Sequence, residues 1–183
     1  MGPRLRRRSI ACLLASLVLV AAGLAGCGKS NEKEGLMEGE PVELGDLQWN
    51  VIFSRFLNPS DEEDKAYLVG QRPPPADATY LAIFVQILNK DKEGPQPLPA
   101  RLTIEDTEHQ SFESLPSESL YALSLGGRVG AEDQVPALDS PPEVGPIKGS
   151  MVLFLIPDKA AEDRPLELVI PGEDGPATVD LDL

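Results

Sequence analysis

Beyond residue 34, prolines and glycines interrupt this chain at short intervals. The full sequence holds 18 prolines and 16 glycines in 183 residues. Proline removes a helical hydrogen bond and glycine is costly to order, so long helices have little room. Between the interruptions lie short runs rich in Val, Ile, Leu, Phe and Tyr. The run at 44–57 alternates, with Leu47, Trp49, Val51 and Phe53 on one side. Others occupy 79–88, 100–106, 150–156, 165–170 and 177–183, the last alternating through Val179, Leu181 and Leu183. Strands at this spacing with turn residues between them predict an all-β chain folded as an antiparallel β-sandwich. Ser60 and Glu63 have the spacing of a capping box for a short helical turn, and residues 158–164 predict a second, stopped by Pro165. Residues 111–146 predict one or two short strands and a long loop.

The N-terminus has the three parts of an export signal. Arg4, Arg6, Arg7 and Arg8 form a basic start, Ile10 to Val20 an apolar middle, and Ala21 to Gly26 a small-residue end. The sequence Leu24-Ala25-Gly26-Cys27 resembles the lipobox of bacterial lipoproteins, which implies acylation of Cys27 and cleavage before it. The competing reading is an uncleaved spanning helix. Ser9 to Gly26 is barely long enough for one, since about 20 apolar residues are needed. In both readings the arginines stay inside and the rest of the chain is exported. Residues 1–26 are therefore expected to be a lipoprotein signal peptide, 27–43 an acylated flexible tether, and 44–183 the sandwich domain. Residues 28–41 have few apolar side chains and no period, as a tether would.

Acylation accounts for both cysteines. Cys12 lies in the signal and Cys27 would carry lipid, leaving the mature domain without a disulfide. Removing residues 1–26 takes away four arginines and no acid. The 16 basic residues then become 12 against an unchanged 30 acids, a net charge of −18. Such a charge disfavours nucleic acid and anionic headgroups as partners, and favours solubility and stand-off from the membrane.

The stretch "YLAIFVQILNKDKEGPQPL" resembles the strand and asparagine turn of telokin-like, immunoglobulin-like domains in bacterial lipoproteins and secreted antigens. "PIKGSMVLFLIPDKAAEDRPLELVI" resembles their later signature: an apolar strand ending in proline, a charged turn and a leucine-rich strand. The likeness spans residues 44–171 and implies an immunoglobulin-like sandwich in a family largely of unknown function.

Motifs for chemistry are sparse. No G-x-S-x-G elbow, phosphate-binding loop or dinucleotide fingerprint occurs. Ser30 and Lys33 match S-x-x-K by spacing alone, without its partner motifs. His109, the single histidine, falls between two expected strands, where a polar turn is its ordinary role. With one histidine and an acylated cysteine, the mature chain lacks a transition-metal ligand set. Asn89, Asp91, Glu93 and Gly94 begin like a calcium loop, but Ala100 stands where the closing bidentate glutamate belongs. The acids at 61–64 and 132–133 suit a solvated surface. These observations predict no catalytic residue, no metal and no cofactor.

Two strands are apolar on both faces. In 80–88, Leu81, Ile83, Val85 and Ile87 form a core face, while Tyr80, Ala82, Phe84, Gln86 and Leu88 point the other way. In 151–156, Val152, Phe154 and Ile156 suit the core, leaving Met151, Leu153 and Leu155 outward. Tyr80, Phe84, Met151, Leu153 and Leu155 are thus a candidate binding surface if the strands neighbour each other. The alternative is that 111–146 or the N-terminal arm covers them. The expected function is a non-enzymatic, membrane-anchored lipoprotein. It would present its domain outside the cytoplasm, with the membrane as partner through Cys27 and an envelope protein or small ligand as the other. A structural spacer, or a hydrolase with an unrecognised site, are the alternatives.

Overall fold

The computed structural model describes residues 33–183. The chain enters through β1 (Lys33–Met37) and β2 (Pro41–Leu44), then forms two long strands, β3 (Leu47–Leu57) and β4 (Ala78–Asn89). The short helix α1 (Glu62–Lys65) lies between those two. Five short strands follow: β5 (Gln96–Pro97), β6 (Thr103–Glu105), β7 (Ser111–Glu113), β8 (Arg128–Val129) and β9 (Gln134–Val135). The helical turn α2 (Pro141–Val144) precedes β10 (Ser150–Pro157), and α3 (Asp158–Glu162) leads to β11 (Glu167–Ile170) and β12 (Ala177–Asp180).

Two main sheets result, in the orders β1-β12-β11-β6-β7 and β10-β4-β3-β2, with β9 continuing along β4 beyond β10, and β5 pairs with β8 in a separate antiparallel two-stranded sheet. All their pairings are antiparallel except β1 with β12. The protein is an all-β antiparallel sandwich, as the strand pattern predicts. Alternation decides the core. Leu81, Ile83, Val85 and Ile87 of β4 and Val152, Phe154 and Ile156 of β10 share one buried cluster with Ile104, Leu168, Ile170 and Val179 of the other sheet. Each such side chain contributes roughly 1.5–3 kcal/mol by leaving water.

Three local features differ from the sequence reading. The sequence reading places residues 33–37 and 41–43 in the tether, but they belong to strands β1 and β2 of the sandwich. Each is an edge strand with few inward residues. Leu36 packs on the core opposite Val179, and Val42, 3% exposed, opposes Trp49. Second, the alternation that placed Phe53 with Leu47, Trp49 and Val51 breaks at a β-bulge. Val51 pairs with Val85 and Phe53 with Phe84, so Ile52 is the extra residue. Past the bulge, Phe53, Arg55 and Leu57 lie on the face away from the core. Third, α1 is capped by Asp61, not Ser60, its carboxylate accepting from the Glu63 N–H at 2.8 Å.

Candidate functional site

The register of β4 and β10 brings the five expected surface residues together. Leu155 opposes Tyr80, Leu153 opposes Ala82, and Met151 opposes Phe84. They do not form an open surface. Tyr80, Phe84, Met151 and Leu153 are 4%, 0%, 1% and 1% exposed, and only Leu155 is half-buried. A third layer covers them, built from residues 58–77, 114–122 and 141–149. Tyr67 meets the Phe84 ring edge-on at 5.3 Å and Tyr121 at 4.9 Å, while Phe53 stacks on Phe84 at 6.5 Å. Leu68, Leu115 and Ile147 complete the packing.

Polar contacts fasten this cap. The Tyr80 hydroxyl donates to the Arg72 carbonyl, Ser119 Oγ to the Ala66 carbonyl and Gln71 Nε2 to the Pro116 carbonyl, each at 2.8 Å. The carboxylate of Asp64, nearly fully buried, pairs with Arg55 and accepts the Asn58 N–H at 2.7 Å. Arg55 reaches Asp64 because the bulge turns it to this side. Burial, then the neighbouring Tyr121, pushes the Tyr67 hydroxyl above the usual tyrosine range. The expected binding patch is therefore a second hydrophobic core, because residues without strand periodicity fold over it.

The calcium-like loop is closed by its own protein donors. Asn89 is 0% exposed, and its Nδ2 donates to the carbonyls of Gly94, Val129 and Gly130 at 3.0, 3.2 and 2.8 Å. Its Oδ1 accepts the Asp91 N–H at 2.9 Å. Both Asp91 oxygens are engaged, by the Glu93 N–H at 2.8 Å and Gln96 Nε2 at 2.7 Å, and these hold its carboxyl below the ordinary range. Asn89 thus clasps the end of β4 to the 94–130 region. Among the described residues no three His, Cys, Asp or Glu side chains gather around a common point.

His109 lies exposed at the tip of the β6–β7 turn with φ of 60°. Asp106 organises that turn, its Oδ1 accepting the Glu108 and Gln110 N–H groups at 2.9 Å. His109 lines none of three surface clefts. The first, of about 500 Å³, lies between the β2–β3 turn, residues 96–101 and the β11–β12 loop, with Leu44, Leu47, Trp49 and Leu98 in its walls. Its Arg101 is held by both oxygens of Glu113 at 2.7 and 2.8 Å. The second, of about 370 Å³, lies along the cap beside Ser114 and Ser117, and the third, of about 320 Å³, beside Gln86, Gln134 and Lys148. Cys27 lies outside the described residues, as do Ser30 and the whole expected signal peptide. No helix among the described residues is long and apolar enough to cross a membrane.

The outer face of the first sheet carries a row of acids. Glu167 sits directly opposite Glu105 on one side and Asp180 on the other. Burial first, then Asp180, Glu105 and Glu34, hold its carboxyl above the ordinary range, opposed by His109. A raised carboxyl pKa means that the folded state binds more protons than the unfolded one between the ordinary and the raised value. Stability from this group is therefore gained as pH falls through the raised pKa, and lost as it rises. Glu167→Gln is expected to stabilise the protein at pH 7 by about 0.5 kcal/mol, the scale of like charges facing across strands. Urea melts should show the gap between variant and parent narrowing toward pH 4.5. A constant gap would mean that the carboxylates do not interact.

No known family model and no curated protein matches the chain. Solved structures share its fold. The yjhA protein of Bacillus subtilis is 17% identical, with a TM-score of 0.57 over 81% of this chain and 100% of that one. An uncharacterized β-sandwich protein of Clostridium difficile is 14% identical, with a TM-score of 0.51 over 84% and 97%. A candidate lipoprotein of Bacillus subtilis, ycdA, is 15% identical, with a TM-score of 0.50 over 79% of this chain. The match spans only 38% of ycdA. At these identities the likeness is one of fold alone.

Proposed function

We propose that this chain is an exported lipoprotein, held at the bacterial cell membrane by an acylated Cys27, whose immunoglobulin-like sandwich acts without catalysis as an interaction domain for an envelope protein or small ligand. The observation that carries the reading is Leu24-Ala25-Gly26-Cys27 at the end of a basic and apolar leader, a few residues before the sandwich strand β1 (Lys33–Met37). The candidate lipoprotein among the similar sandwiches is in keeping with that address. The non-enzymatic part is supported by the exposure of His109 away from the three clefts and by the prior engagement of Asp91 and Arg101. Burial of the Phe84 face favours a second reading, in which the domain is an envelope spacer, because it removes the apolar surface that the sequence offers a partner.

Intact mass tests the anchor. Protein extracted from membranes is expected to weigh as residues 27–183 plus acyl groups, and Cys27→Ser should lose the acyl mass and the cleavage together. A full-length mass unchanged by Cys27→Ser would replace the lipid anchor with a spanning helix.

A further inference from the structure

The point at which the chain enters the sandwich determines which end an anchor at Cys27 could hold. Lys33 opens β1 beside Ala177, the first residue of β12, and its Nζ donates to the Glu43 carbonyl. Leu44 faces Leu47 across the β2–β3 turn, and Leu47 faces Asn89 at the end of β4. Gly172 of the β11–β12 loop packs so tightly on Leu44 that a Cβ there would come within 2.8 Å of the leucine side chain. The chain entry, the β2–β3 turn, the β11–β12 loop and the 500 Å³ cleft between them therefore share one end of the sandwich. The opposite end carries α3 and the β6–β7 turn, joined by Lys159 and Glu108 at 3.0 Å.

Six residue steps separate Cys27 from Lys33, and a fully extended chain covers at most about 20 Å in that distance. The sandwich is longer than this, since the 12 residues of β4 span about 40 Å. A lipid on Cys27 thus keeps the chain-entry end at the membrane while the other end is free to stand away. Charge does not oppose this. Lys33, Lys90, Lys92, Arg101 and Arg128, five of the eleven described lysines and arginines, lie at this end with Glu34, Glu43, Asp46, Asp91, Glu93, Glu113, Glu132, Asp133, Glu173 and Asp174. The end is acidic, but with five cations to ten acids it is less so than the remaining described residues, which hold six to nineteen, and it is correspondingly less repelled by anionic headgroups.

Resting on the anchor reading above, we infer that the sandwich faces the bilayer with its chain-entry end. The cleft walled by Leu44, Leu47, Trp49, Pro97 and Leu98 opens onto the lipid headgroup layer, and the acidic face, the cap and the α3 end are left for the surroundings. The occupant of this surface is the bilayer itself, brought there by the short tether.

The test uses full-length protein, lipidated by its host and reconstituted in phosphatidylethanolamine and phosphatidylglycerol vesicles containing a lipid with a nitroxide on its headgroup. With Cys27 acylated, a single introduced cysteine is the one free thiol. Glu173→Cys labels the entry end and Glu162→Cys the α3 end, both exposed positions. Intact mass and vesicle flotation are read on the same samples. The Glu173 label is expected to lose more than about half its emission and the Glu162 label less than about a tenth, given the reach of six residues. A flexible Gly/Ser insertion of about 20 residues after Lys29 should relieve most of that loss. Equal quenching at both positions, or stronger quenching at Glu162, in acylated and floating protein overturns the orientation and leaves the anchor intact. Protein that floats without acyl mass, or does not float, overturns the anchor reading and the orientation with it.

Discussion

Asn89→Asp is expected to lower the unfolding free energy by about 3–5 kcal/mol at pH 7, the range for an uncompensated buried charge. The change keeps the shape of the side chain and reverses the sense of its hydrogen bonds. Where Nδ2 donates to the carbonyls of Gly94, Val129 and Gly130, a carboxylate oxygen would face three acceptors at a fully buried position. Protonation restores one donor, so the carboxyl in the variant should titrate well above the usual range. Its penalty should shrink as pH falls through that value. Urea denaturation of Asn89→Asp at pH 7 and pH 5 checks both points. A loss below 1 kcal/mol at pH 7 would mean that the loop opens to water and that Asn89 is not a clasp.

Phe84→Ala should cost a similar amount, about 3–5 kcal/mol, because it empties a phenyl-sized volume in the second core. The ring is fully buried, and Phe53 and Tyr67 rest on it. Near-ultraviolet dichroism from Tyr67 and Tyr121 should weaken with it, since their packing depends on that floor. Leu120→Ala, at a position 78% exposed in the same cap, is expected to stay within about 0.5 kcal/mol of the parent. Equal effects at Phe84 and Leu120 would contradict the layered arrangement.

The strands were legible because their side chains carry the signal themselves. The alternation around Leu81, Ile83 and Val85 needs only a period of two to announce a strand with one face in a core. That β4 and β10 are apolar on both faces was legible too, and it pointed to a real feature. What covers the second face was not, since Tyr67 and Tyr121 lie in Pro-rich stretches without period and meet Phe84 only through the tertiary fold. The bulge at Ile52 had no local mark, and it alone moves Phe53 and Arg55 to the cap side. Edge strands β1 and β2 read as tether because an edge strand buries so few residues that its apolar signal nearly vanishes. Asn89 was visible as a candidate ligand by spacing, but spacing does not tell which atom of an amide faces inward.

The parallel pairing of β1 with β12 has a mechanical side. Tension from an anchor at Cys27 would enter the fold at Lys33 and pull β1 along its own length. The neighbouring β12 runs in the same direction and passes on toward the opposite end, where a load applied to the free end of the sandwich would be resisted. The two strands are then drawn past each other like the halves of a lap joint, with their hydrogen bonds strained together. An antiparallel hairpin at the same place would be peeled open one bond at a time. Under the proposed anchor, β1 would bear load in shear, and the force needed to detach it would be set by the barrier to breaking that joint as a unit.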